Sequence, residues 1–182
     1  VIASCIAKDY IVIAPLTGYS ARVRATMTSA FDHLGDIAIW DLPKTAFLCS
    51  RKVPAAQVLK CYDWAIAMRE SGTCVMLGAH SQLEKDVLHY LLKGTQPVVV
   101  VLARGMRKRL DPVLQQEVEK GRLLVVAPFL DGVARVTART AEARNRFLLE
   151  HAKDVVVGHA DIHGGVRRIL VGSLFGGPIT YL

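Results

Sequence analysis

The sequence has no apolar run near the ~18 residues that cross a bilayer; its longest, around 97–103, has the length of a strand. Cys5, Cys49, Cys61 and Cys74 show no CxxC spacing, and two of them fall in expected strands. The expectation is buried free thiols in a reducing cytoplasm. No repeat and no low-complexity segment is present. Aromatic residues are only 7% of the chain, so rings on which successive bases of a single strand stack are scarce. Phe129 is the best placed of them. The chain opens on Val1, which fits a sequence lacking its natural start, and "VIASCIA" is too short and wrongly flanked for a signal peptide.

The 182 residues are 52% hydrophobic and 21% charged, a balance that makes a globular domain and excludes a disordered chain. From Lys44 onward, short apolar runs alternate with helical patterns. Strands are expected at 45–49, 73–77, 97–103, 122–129 and 154–159. Helices are expected from Pro54 to Glu70 with an apolar face of Val58, Leu59, Tyr62, Ala65 and Ile66, and after the Ser81/Glu84 capping box. Others follow Asp111-Pro112, run from Thr140 to Ala152, and follow Gly164-Gly165 over 166–170. This alternation implies an α/β fold: a three-layer Rossmann-like sheet of mainly parallel strands with helices on both faces, in the order 3-2-1-4-5. Residues 44–182 form that domain. Residues 1–43 form an N-terminal extension packing on the core or a partner, with "YIVIAPL" a possible strand and "RVRATMTSAFDHL" a helix.

The net charge of +7 is unevenly spread. Residues 44–170 hold twenty Lys and Arg against twelve Asp and Glu, while residues 1–43 are close to neutral. Many of the cations, among them Arg51, Lys52, Arg104, Arg107, Lys108, Arg109, Arg144, Arg146, Arg167 and Arg168, fall where strands run into helices. Ligands of such sheets bind beyond the carboxyl ends of the strands, where the strand order reverses. In the expected order that point lies between strands one and four. The step "CSRK" leaves strand one there, and the helix after it, with Val53 at its N-cap, has no side-chain acceptor. Ser50 and Arg51 beside its free amides form an anion cradle, faced by Arg144, Asn145 and Arg146.

Five stretches in order, "FLCSRK", "GAHSQLEKDVLHYLL", "VVVLARGM", "RLLVVAPF" and "EARNRFLLEHAKDVVVGHADIHGG", resemble the Rossmann-like core of the DNA-processing protein A (Smf) family over residues 44–170. The wider superfamily includes lysine-decarboxylase-like proteins. The resemblance implies a homodimer that binds single-stranded DNA and hands it to a recombinase, in DNA uptake or recombination. It places DNA contacts on Ser50, Arg51, Gly105, Arg144, Asn145 and Arg146, a close backbone approach at Gly78, and the family's last turn at His163-Gly164-Gly165. Cys49 stands where the family has glycine.

The expected ligand set is therefore Ser50, Arg51, Lys52, Gly78, Arg104, Gly105, Arg144, Asn145, Arg146, Gly164 and Gly165, acting on single-stranded DNA phosphates. The protein is expected to be a non-catalytic cytoplasmic binder, with no cofactor, metal or membrane. Two alternatives stay open: a sensor of one nucleotide or other phosphate-bearing ligand, and a nucleotide-processing hydrolase with Glu84 as acid or base. His159, Asp161 and His163 share no helix face and so do not suggest a metal site.

Overall fold

Runs such as Val98–Val101 and Leu123–Ala127 are buried on both faces, which only a sheet covered by helices on each side allows. The computed structural model describes residues 31–106, 109–129 and 133–182. Among them, seven strands form one sheet: β1 (Asp32–Leu34), β2 (Lys44–Cys49), β3 (Cys74–Leu77), β4 (Val98–Val101), β5 (Leu123–Ala127), β6 (Asp154–His159) and β7 (Ile179–Tyr181). The helices are α1 (Ala55–Ser71), α2 (Gln82–Leu91), α3 (Pro112–Glu119), α4 (Ala138–His151) and α5 (Gly165–Gly172), with a 3-10 turn at Ile37–Asp41.

The period-two alternation of each strand divides the core in two. Phe47, Val75, Leu77, Val98, Val100, Leu123 and Val125 point to the layer of α1, α2 and α3. Ala46, Leu48, Met76, Val99, Val101, Leu124, Val126, Val155 and Val157 point to α4, α5 and Ile39 of the 3-10 turn. Leu83, Val87, Leu88 and Leu91 are the buried stripe of α2, as the spacing predicts, and its Ser81/Glu84 capping box is formed. On α1 the expected face is rotated. Cys61 and Ala65 are its buried residues, and Leu59 is exposed, because the helix turns its small residues to the sheet.

The α/β class and helices on both faces are as expected, but the strand order is not. The sheet runs β1-β5-β4-β3-β2-β6-β7, all parallel except β1 against β5. In the numbering of the five expected strands this is 4-3-2-1-5 rather than 3-2-1-4-5. Strands buried on both faces carry no mark of their neighbours; the helix layer decides. Leu114 and Val118 of α3 pack with α1 and α2, so a third crossover of the same hand steps outward past β4. The return to β6 then spans four strand spacings, about 19 Å, on the other face, where α4 lies.

Residues 31–43 are part of this body. Where the helix expected over 22–34 ends, β1 pairs with β5 instead, and Phe31 is buried in the core; the earlier part of that helix and the strand at 10–16 lie outside the described residues. Gly35 turns the chain out of β1 at φ +112°, and a Cβ there would lie 2.3 Å from the Leu123 carbonyl oxygen. Gly35→Ala is expected to lower stability by about 1–3 kcal/mol, read as a fall in urea midpoint at unchanged slope.

Candidate functional site

The change in strand order moves the switch point. From β2 the chain steps to β3 through α1 on one face; from β6 it steps to β7 through α5 on the other. The crevice therefore opens between the carboxyl ends of β2 and β6. Their pairing shifts register there, Leu48 facing Val157 but Cys49 facing His159, so Gly158 is the extra residue of a bulge. The bulge brings the two exit loops together. Ser50 donates its amide to the His159 carbonyl oxygen at 2.8 Å, and the Asp161 amide donates to Ser50 Oγ at 3.0 Å. The buried Ser50 hydroxyl keeps its own proton for a further acceptor.

Above this junction lies a cavity of about 820 Å³. Ser50, Arg51 and Lys52 form one side and Asp161, Gly164 and Gly165 another; Thr137, Ala138, Ala141, Arg144 and Asn145 of the α4 start close it. The N-terminus of α5 faces in with Gly164 at its cap, no side-chain cap and no acid in its first turn. Arg51 and Lys52 are exposed and have no ion-pair partner among the described residues. A helix N-terminus, a hydroxyl and two cations are each groups that can donate to an oxyanion.

The expected convergence of arginines is only partly realised. Arg144 lines the cavity but is 4% exposed, and its Nη2 lies 3.2 Å from Glu84 Oε1. It leaves the α4 layer and crosses the end of β3 to reach an acid in the α2 layer. The other oxygen of Glu84 accepts the amides of His80 (3.1 Å) and Ser81 (2.9 Å) and the Ser81 hydroxyl. Glu84 also borders the cavity, but its carboxylate is only 3% exposed. Arg144 Nε and Nη1, and Asn145 Oδ1, are buried with no hydrogen-bond partner among the described residues.

Gly78 explains the crossing. A Cβ there would fall 1.0 Å from Arg144 Nη1, so the close approach at this glycine is made by the protein's own guanidinium. Arg146 is two residues from Arg144, hence on nearly the opposite side of the helix. It pairs with Glu142 at 3.0 Å and borders a separate hollow with Lys153. Arg104 and Gly105 do not line the cavity either; the Gly105 amide donates to the Val133 carbonyl oxygen and joins the loops after β4 and β5. Phe129 lies beside Gly105, away from the cavity. Arg107, Lys108 and Asp131 lie outside the described residues.

Sequence reasoning did not single out Thr137, Ala138 or Ala141. Spacing from Arg144 carries the signal: Thr137, Ala141 and Arg144 are one helical face. The start of α4 is also two residues earlier than expected, because Thr137 and Thr140 cap each other, Oγ1 of each accepting the other's amide at 3.1 and 2.9 Å. Pro54, not Val53, holds the N-cap of α1.

No protein-family model matches the sequence, and no curated protein matches it. Solved structures do. DNA processing protein A from Helicobacter pylori, which binds single-stranded DNA, superposes with a TM-score of 0.66 at 15% identity, over 82% of this chain and 69% of that one. The fold is that of DNA processing protein A. Its Streptococcus pneumoniae counterpart gives 0.64 at 17% identity over 82% of this chain, which spans only 53% of that protein. A molybdenum cofactor binding protein from Rippkaea orientalis gives 0.54 at 10% identity, over 77% of this chain and 76% of that one.

Cys49 borders the cavity, and its thiol is pushed up by a hydrogen bond with Cys61 and by burial; burial likewise raises Cys74 to about 11. Neither is thiolate near neutrality, so native protein at pH 8 should resist iodoacetamide at both and react only once unfolded. Arg144→Ala, which strands a buried carboxylate, is expected to cost about 3–5 kcal/mol, and Gly78→Ala to lower the melting temperature for the same reason. Arg51→Ala should leave melting unchanged. Thermal melts of the three variants check this.

Proposed function

We propose that this protein binds single-stranded DNA through its phosphates, with one phosphate seated in the crevice between β2 and β6. The observation that carries the reading is the meeting, in one cavity, of the uncapped α5 N-terminus, the Ser50 hydroxyl, and Arg51 and Lys52, which have no ion-pair partner among the described residues. Each of these donates to a phosphate oxygen, and none makes a demand on the base. Among the described residues no Phe, Tyr or Trp lines the cavity and His80 is its one ring, so binding is expected to depend on phosphates far more than on stacking. The shared fold with a protein that binds single-stranded DNA supports the same reading. Arg144 contributes the shape of the wall rather than free charge, because its guanidinium is covered and held by Glu84.

A second reading, one phosphate-bearing nucleotide per chain, is favoured by a different observation. Glu84 and Glu142 already lie against Arg144 and Arg168, which leaves a site with little spare positive charge. Its volume of about 820 Å³ is also that of a small-ligand pocket.

Titrating a labelled oligothymidylate of about 12 nucleotides at several salt concentrations separates the two. A negative log-log slope, losing about 0.7 per cation on Arg51→Ala or Lys52→Ala, supports the DNA reading. Absence of binding at low salt, or an affinity indifferent to salt, overturns it. Nucleoside monophosphate bound one per chain, with no oligonucleotide binding, establishes the second.

A further inference from the structure

Glu142 lies one turn into α4, on the cavity wall, and its two oxygens face two arginines. Oε1 is 3.0 Å from Arg146 Nη2, one turn along the same face of the helix, and Oε2 is 3.6 Å from Arg168 Nη2, on α5. Arg168 also lines the cavity, three residues past Gly165 at the anion-binding end of α5. A carboxylate therefore already occupies one of the cations that a phosphate at that helix end would use.

The two ion pairs of Glu142 differ from the one at Glu84. Arg168 is 66% and Glu142 31% exposed in their side chains, against 4% for both Arg144 and Glu84. An exposed pair at 3.6 Å is weak and exchanges its partner readily. The buried pair fixes the wall, whereas the exposed pair is free to open.

We propose that Glu142 is an internal counter-anion, which a phosphate of the ligand displaces from Arg168, and that it thereby tunes affinity and sets a threshold of ligand charge. The inference rests on the phosphate-binding reading of the crevice. When the ligand enters, Arg168 turns from carboxylate to phosphate, and Glu142 stays paired with Arg146. A ligand bearing a single carboxylate gains nothing by the exchange; a phosphate, with more charge and more acceptor oxygens, does.

The test is oligothymidylate binding by wild type, Glu142→Gln and Glu150→Gln across a range of salt. Glu150 is an exposed acid of the same helix on the wall of the other hollow, so its variant makes the same change in net charge without freeing Arg168. Glu142→Gln is expected to bind up to about fivefold tighter, at an unchanged salt slope, because Arg168 meets a phosphate in both proteins. Glu150→Gln should match wild type in slope. Arg168→Ala should weaken binding more in the Glu142→Gln background than in wild type. Equal tightening by the two glutamine variants, or no tightening by Glu142→Gln, overturns the inference and leaves the binding reading intact. No binding by either wild type or Glu142→Gln at low salt overturns both. Melting curves of all variants should coincide, since the ion pairs lost lie at the surface and such pairs contribute little.

Discussion

The buried pair of Arg144 and Glu84 is the constraint around which the ligand face of this protein is arranged. Its members come from helices on opposite sides of the sheet and meet over the end of β3. Three features follow. Gly78 must lack a side chain, since the guanidinium takes that space. The chain leading into α2 must present the His80 and Ser81 amides to Glu84, since one arginine nitrogen does not saturate a buried carboxylate. The second turn of α4 must lie close over the strand ends, which sets the width of the crevice between β2 and β6. Such a pair adds little net stability relative to an apolar replacement of both members, but removing one is costly. It acts as a registration device between the two helical layers.

This arrangement separates two kinds of cation that sequence position alone confounds. Arg144 is an internal brace, Arg51 and Lys52 are free at the rim, and Arg146 and Arg168 share Glu142. Counting basic residues at strand ends detects the positive edge but treats these as equals. Burial and pairing sort them. The site is consequently more modest in charge, and more definite in shape, than a basic groove would be.

The class of fold was written plainly in the chain. Apolar strands such as Val98–Val101, the Ser81/Glu84 box and the Asp111-Pro112 start each have a local physical cause, and each is found where its cause lies. Strand order is not local. A strand buried on both faces looks the same beside any neighbour, so the position of β5 was undetermined by its own residues and fixed only by the face of α3 that is apolar. Among the site residues, Ser50, Arg51, Lys52, Gly164 and Gly165 follow from chain exits at strand ends and do meet at the cavity. Arg146 did not, because adjacency in sequence was read as adjacency in space along a helix that turns 100° per residue. The partner of Arg144 was hidden as well: Glu84 already had a sufficient role in its capping box, and nothing in the spacing of residues 84 and 144 announces a contact.

The hydrogen bond from the Asp161 amide to Ser50 Oγ joins residues 111 positions apart. In the order of synthesis β2 through β5 are laid side by side as they emerge, each beside its predecessor, apart from the antiparallel edge strand β1. β2, however, keeps one bare edge until β6 arrives, which at ribosomal speed is a delay on the order of 5–20 s. During that interval a central strand of the finished protein is a terminal one, with unsatisfied amides and carbonyls along Thr45–Leu48. The crevice thus acquires its shape only after β2 to β5 are in place, and its closure ends the exposure of a central strand to pairing with another polypeptide.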